Sequence, residues 1–172
     1  MEYANPMQHP RIEKAVVNIG VGESGEKLGK AEKLIETLTS KTPVRTVSKH
    51  KIPGWGIKKG EPIGCKITLR GKQAEEVIKR FLYAKDNNLK KNCFGKDGNL
   101  SFGVREYIDI EGLKYDPDIG IFGMNLTVTL ERPGYRIKRR RIDKKKIPDQ
   151  QRISQQESID FFKDKFGVNI EE

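Results

Sequence analysis

The 172-residue sequence predicts an α+β fold, a two-layer sandwich whose antiparallel sheet carries helices on one face. Three observations predict it. Several short segments alternate apolar and polar residues, as strands covered on one side do. Two segments between them repeat apolar residues at helical spacing. Turn chemistry, not long linkers, separates the pieces, and no internal repeat interrupts them.

The elements follow in order. EKAVVNIGV (13–21) is β-branched and ends in glycines, so it reads as a strand. Leu28, Ala31, Leu34, Ile35 and Leu38 recur at helical spacing and predict an amphipathic helix over 27–39. PVRTVSK (43–49) reads as a short strand, and IGCKITLR (63–70) as another. In KQAEEVIKRFLYA (72–84), Ala74, Val77, Ile78, Phe81 and Leu82 share one helical face. Residues 86–100 are polar and turn-rich. LSFGVREYIDI (100–110) and MNLTVTLE (124–131) read as strands around a turn-forming stretch, and GYRIKRRR (134–141) as a last, basic strand. Ser154 and Glu157 have the spacing of a capping box and open a C-terminal helix over about 154–166, which Gly167 stops. The length suits one domain spanning 1–172, with a basic segment at 136–146. One sheet face is then open to a ligand.

Lys and Arg total 34 against 24 acids, a net charge of +10. Such a surplus points to a polyanionic partner. The N-terminus has no basic n-region or apolar h-region, so no signal peptide is expected. No apolar run approaches the ~20 residues of a membrane helix, so no membrane partner is expected. Cys65 and Cys93 lie in no CxxC pair and indicate neither a disulfide framework nor a metal site. The chain reads as cytoplasmic.

Several patterns imitate catalytic or cofactor sites. Gly20-Val21-Gly22-Glu23-Ser24-Gly25 spells G-x-G-x-x-G after a strand and before a helix, the context of a dinucleotide loop. Glu23 would repel a pyrophosphate, the ribose-binding acid is missing, and the chain does not continue as βαβαβ. An NADP-dependent enzyme using 20–25 and Arg45 is the alternative reading. SGEKLGKA (24–31) is too short for a Walker A loop and has Ala31 where a hydroxyl should hold magnesium. Strand alternation puts Asp109 and Glu111 on one solvated face, and Asp116-Pro117-Asp118 is turn chemistry. His9 and His50 have no third partner for a triad or metal site. No cofactor and no enzymatic activity are expected.

The basic segments differ in kind. From Lys41 to Gly60 there are six Lys or Arg residues and no acid. They share that stretch with Pro53, Gly54, Trp55, Gly56 and Gly60. Glycines let backbone approach a phosphate chain, and an indole there can pack on a ribose or base. The sole tryptophan, Trp55, and its neighbour Ile57 therefore read as placed for RNA and not for the core. From Arg136 to Lys146 eight of eleven residues are basic.

The stretches NPM (5–7), PRIEKAVVNIGVGESG (10–25), TLTSKTPVRT (37–46), GIKKGEPIGCKITLRG (56–71), 98–134 and RRR (139–141) resemble, in order and over nearly the whole chain, the universal large-subunit ribosomal proteins of the L-five type. YDPDIGIFGMN and the ending RIS…ESIDFF are similar to the archaeal and eukaryotic branch. The resemblance implies an antiparallel sheet with helices on one side. It implies binding of 5S rRNA and its docking in the central protuberance, beside the other 5S-binding ribosomal protein and other neighbours. It implies that loop 53–61 reaches the P-site tRNA. The family's 5S-reading Asn, Thr and Arg fall on Asn18, Thr68 and Arg70. Its Gln falls on Lys41, which exchanges an amide hydrogen bond for a phosphate contact.

The expected 5S rRNA contacts are therefore Asn18, Gly20, Gly22, Lys41, Arg45, Thr46, Lys49, Lys51, Thr68 and Arg70. The expected tRNA contacts are Gly54, Trp55, Gly56, Ile57, Lys58 and Lys59. Arg136, Lys138, Arg139, Arg140 and Arg141 are expected to touch 5S or large-subunit rRNA.

Overall fold

The computed structural model describes residues 5–171. Ten elements follow one another: β1 (Arg11–Gly20), α1 (Glu26–Thr39), β2 (Val44–Val47), β3 (Pro62–Leu69), α2 (Lys72–Tyr83), β4 (Asn88–Lys90), β5 (Leu100–Val104), β6 (Met124–Glu131), α3 (Gln155–Phe166) and β7 (Asn169–Glu171). β2-β3-β1-β6-β5 form one sheet, antiparallel at every pairing, and β4 and β7 form a small parallel pair. This is the α+β sheet-and-helix arrangement that the alternation predicts.

The alternation decides which face is covered. Ala15, Val17 and Ile19 of β1 and Leu126 and Val128 of β6 are fully buried, and Cys65, Ile67 and Leu69 of β3 nearly so. Leu34, Ile35 and Ala31 of α1 and Ile78, Phe81 and Leu82 of α2 are buried in the same cluster. Phe81 meets Phe102 of β5 edge to face at 6.5 Å. The alternate residues of the strands point the other way and meet no helix.

The predicted capping box is present. The Ser154 hydroxyl accepts from the Glu157 N–H, and the Glu157 carboxylate accepts from the Ser154 N–H at 2.9 Å. Gly167, at φ 66°, stops the helix. α3 joins the core through Phe162, whose ring meets Phe94 at 5.9 Å. The buried Ser158 hydroxyl donates to the Gly98 carbonyl at 2.9 Å. Lys165 reaches Glu75 of α2 at 2.5 Å.

Three predicted segments differ. Residues 134–141 form no strand. Pro133 and Gly134, the latter at φ 97°, turn the chain away from β6 into a single 3-10 turn over Tyr135–Lys138. The predicted strand 100–110 ends at Val104, because a 3-10 turn over Tyr107–Asp109 carries the Tyr107 ring fully into the core. The Tyr107 hydroxyl then accepts from the Asp116 N–H at 3.0 Å. Asp109 and Glu111 consequently share no strand face. The polar stretch 86–100 holds β4, which β7 recruits from the far end of the chain.

Gly64 of β3 is needed for packing. A Cβ there would lie 2.6 Å from the Ile19 carbonyl oxygen, which is backbone and cannot yield. Gly64→Ala is expected to cost about 1–3 kcal/mol of stability, the usual range for overpacking, read as a lower urea midpoint. Gly103→Ala should cost less. Its Cβ would meet the Asn125 Oδ1, also at 2.6 Å, but that side chain is exposed and can swing away.

Candidate nucleic-acid interface

Register builds the open face row by row. Asn18 sits at the centre of β1, with Lys66 of β3 across from it on one side and Asn125 of β6 on the other. Val44 continues this row on β2 and Gly103 on β5. The next row holds Thr68, Val16, Thr127 and Ser101, and the hydroxyls of Ser101 and Thr127 lie 3.0 Å apart. The row on the other side holds Gly20, Gly64 and Thr46. The centre of the face is thus mostly short amides, hydroxyls, glycines and one lysine, with Val16 and Val44 the two apolar members. Such groups present donors and acceptors to ribose hydroxyls and base edges without a bulky wall.

Of the expected contacts, this arrangement brings Asn18, Gly20, Thr46 and Thr68 onto one face. It adds Lys66, Asn125, Thr127 and Ser101, which the sequence reading passed over. The alternation of IGCKITLR and MNLTVTLE carried that signal, because it sets Lys66 with Thr68 and Asn125 with Thr127.

Arg45 lies elsewhere. It pairs in register with buried Cys65, so it faces the helices. Its guanidinium forks onto Glu32 of α1, at 2.5 Å and 2.9 Å. That hydrogen bond holds the Glu32 carboxyl below the usual range. Lys41 lies in the turn between α1 and the edge strand β2, apart from the central rows. Cys65 is shielded, and burial pushes its thiol up to about 11, so it is no nucleophile.

The Trp55 loop is a small closed hairpin. Ile52 and Ile57 exchange two backbone hydrogen bonds, at 2.9 Å and 3.2 Å. A 3-10 turn over Pro53–Trp55 forms the tip, with Gly56 at φ 68°. Trp55 is 76% exposed. Ile57 is only 5% exposed, so its side chain does not stand free as the sequence suggests; it is buried where the backbone pairs with Ile52. Gly54, Lys58 and Lys59 are exposed, as are Lys49 and Lys51 on the approach.

Glu61 ties this hairpin to the glycine loop. One oxygen accepts from the Lys58 N–H and the other from the Ser24 hydroxyl, both at 2.8 Å. These two hydrogen bonds, the Lys58 N–H first, hold the Glu61 carboxyl below its ordinary range. The glycine loop itself is no cofactor cradle. The N–H groups of Val21 and Gly22 both bond to the Ile63 carbonyl, at 3.0 Å and 2.8 Å. β1 runs antiparallel to both neighbours, whereas a dinucleotide fold needs parallel ones. With Arg45 held by Glu32, the NADP reading loses its loop and its cation.

At the far end of the open face two carboxylates gather cations. Glu13, at the bulge in β1, lies 2.9 Å from Arg139, 3.7 Å from Lys14 and 3.9 Å from Arg70. Glu131 pairs with Arg139 and, at 2.8 Å, with Arg11. Arg139 is thus a clamp that pins the basic segment to β1 and β6. Arg70 is held loosely, with its side chain 59% exposed. Arg136, Lys138, Arg140 and Arg141 are exposed, and Arg140 donates to the Asp143 carbonyl at 2.8 Å.

Among the described residues no group of three or more His, Cys, Asp or Glu could hold a metal, and no helix is long and apolar enough to cross a membrane. A half-covered sheet with a polar face, fringed by lysines and an exposed indole, defines a nucleic-acid-binding scaffold. Comparison with known proteins makes the class particular. Residues 5–58 match the family described as Ribosomal protein L5, and residues 62–161 match the C-terminal part of the same ribosomal family. The chain is 56% identical over 167 residues to the large ribosomal subunit protein uL5 of Methanosphaera stadtmanae, covering 97% of this chain and 99% of that one. The uL5 of Methanococcoides burtonii is 51% identical, covering 98% and 99%. That of Sulfurisphaera tokodaii is 49% identical, covering 98% and 96%. The chain belongs to the ribosomal protein L5 family, in its archaeal form. It is a structural, RNA-binding protein of the large ribosomal subunit, working in the cytoplasm, and not an enzyme.

The Glu61 clasp gives a direct expectation. A lowered carboxyl keeps the clasp intact from neutral pH down through the ordinary carboxylate value of about 4.3 and loses it only as pH falls through the lowered value. Trp55, the sole tryptophan, reports on it. Glu61→Ala should lower the fluorescence anisotropy of Trp55 at neutral pH with unchanged far-UV circular dichroism. The wild-type protein should show that drop only in acid.

Proposed function

We propose that this protein binds 5S rRNA on the open face of its sheet and helps dock it in the central protuberance of the large subunit. The observation that carries this reading is the row Lys66–Asn18–Asn125 with Thr68 beside it, a polar surface that no helix covers. Asn18, Thr46 and Thr68 supply short hydrogen-bonding groups. Gly20 and Gly22 admit close backbone approach. Lys41, Lys49, Lys51 and Arg70 hold phosphates at the margins. Arg45 contributes charge at the sheet edge while it orders α1. The chain acts as one domain in this role.

The Trp55 hairpin is assigned to the P-site tRNA. Gly54, Trp55 and Gly56 form the contacting tip, Lys58 and Lys59 neutralise phosphate, and Ile57 holds the hairpin in shape. Support comes from geometry: a large aromatic ring stands out on a braced support with lysines beside it. Arg136, Lys138, Arg140 and Arg141 are assigned to large-subunit rRNA, with Arg139 positioning them. The other 5S-binding ribosomal protein and further neighbours of the central protuberance complete the proposed partners.

The test is a titration of the purified protein against its own 5S rRNA and against a tRNA, over a salt series. Preference for 5S rRNA should persist as salt rises, because hydrogen bonds and shape carry it. Equal affinities that collapse together would reduce the interaction to net charge. Arg70→Ala should weaken 5S binding by roughly 1–2 kcal/mol. Trp55→Ala should leave 5S affinity intact and lower tRNA occupancy on ribosomes.

A further inference from the structure

Behind the basic segment lies a cleft of about 560 Å³, within the ~300–1,000 Å³ of sites that take small ligands. It runs on from the far end of the open face, where Glu13 and Thr129 line it, beyond the central rows, and is no part of the Trp55 hairpin. One wall is apolar: Leu130, Ile147 and Ile153 are buried there, and the half-buried Tyr135 ring stands beside them. The Tyr135 hydroxyl is fixed by donating to the Gln151 carbonyl at 2.6 Å. The rim is cationic, with Lys138, Lys144, Lys145 and Lys146, none of which has an ion-pair partner among the described residues. Asn99 and Asp97 line the cleft from the turn before β5.

The rim is held in place. The Lys145 N–H bonds to the Ile137 carbonyl at 3.3 Å, closing the basic segment into a loop. Arg139, gripped by Glu13 and Glu131, pins that loop to the sheet. The lysines are therefore presented over a formed cavity and not on a loose tail.

We infer that this cleft takes one unstacked nucleotide of a single-stranded rRNA segment, its base against Tyr135, Ile147 and Ile153 and its phosphates on Lys144–Lys146. The three kinds of group match the three parts of a nucleotide. A flat apolar wall with an aromatic ring suits a base face. The Asn99 amide and the Asp97 carboxylate can meet the base edge or the ribose 2′-hydroxyl. Lysines flanking the mouth suit a chain with a phosphate on each side, which a free nucleotide lacks. The inference rests on the reading of this protein as RNA-binding, and not on the 5S assignment.

The test uses the full chain and a short single-stranded oligoribonucleotide carrying a photoreactive 4-thiouridine, with adducts mapped by mass spectrometry. Adducts are expected on the peptides containing Tyr135 or Ile147–Ile153. Replacing Lys144, Lys145 and Lys146 together by Ala should reduce the salt slope of oligonucleotide binding by roughly 2, at ~0.7 per phosphate contact. A triple change of Lys33, Lys72 and Lys79 on the helices should leave the adduct in place. Asn99→Ala should weaken binding by about fivefold, the scale of one hydrogen bond, with the slope unchanged. Adducts only on the sheet face or the hairpin would overturn the inference, as would equal losses from the two lysine triples. A nucleoside monophosphate that competes as well as the oligonucleotide would overturn an RNA chain as the occupant. If 5S preference fails in the titration above while the cleft adduct persists, the sheet-face assignment falls and this one stands.

Discussion

Everything this protein offers a partner depends on its sheet being packed on one side only. Five antiparallel strands need one apolar face covered, and the helices cover it. The opposite face carries Asn18, Lys66, Thr68, Asn125 and Thr127, which cannot be buried without partners for their polar groups. The face is therefore left to water until a polar ligand replaces that water. A second layer of helices would have required apolar residues at these same positions.

The charged groups divide into those that build and those that are free. Arg45, Arg139 and Arg11 are held by Glu32, Glu13 and Glu131. Lys66, Lys49, Lys51 and the lysines of 144–146 have no such partner among the described residues. In these ties arginine supplies its planar fork, whereas the unpaired lysines, point charges on flexible stems, stand both at the centre of the open face and at its margins. The net charge alone does not draw this distinction; the carboxylates each cation meets do.

Much of this was legible in the sequence because periodicity is a local property. The strands at 11–20, 62–69 and 124–131 and all three helices follow from spacing and caps within a few residues. The failures share a cause: they depend on pairings that periodicity does not encode. Ile57 looked free because its bridge partner, Ile52, forms a hairpin that spacing alone does not reveal. Arg45 looked unpaired because nothing in VRTVSK shows that Glu32, thirteen residues earlier, faces it. The basic run 134–141 read as a strand, yet side-chain ties to Glu13 and Glu131 shape it. Resemblance supplied what periodicity lacked, namely a particular polyanion to propose for the open face.

The central claim is that the uncovered face, and not the helical one, receives RNA. Lysine acylation footprinting of the protein, free and bound to its 5S rRNA, tests it most directly. Lys66 lies at the centre of the open face, whereas Lys33, Lys72 and Lys79 stand exposed on the helices. The account predicts that 5S rRNA shields Lys66, Lys49 and Lys51 and leaves the three helical lysines reactive. Shielding of Lys33, Lys72 and Lys79 with Lys66 still reactive would contradict it.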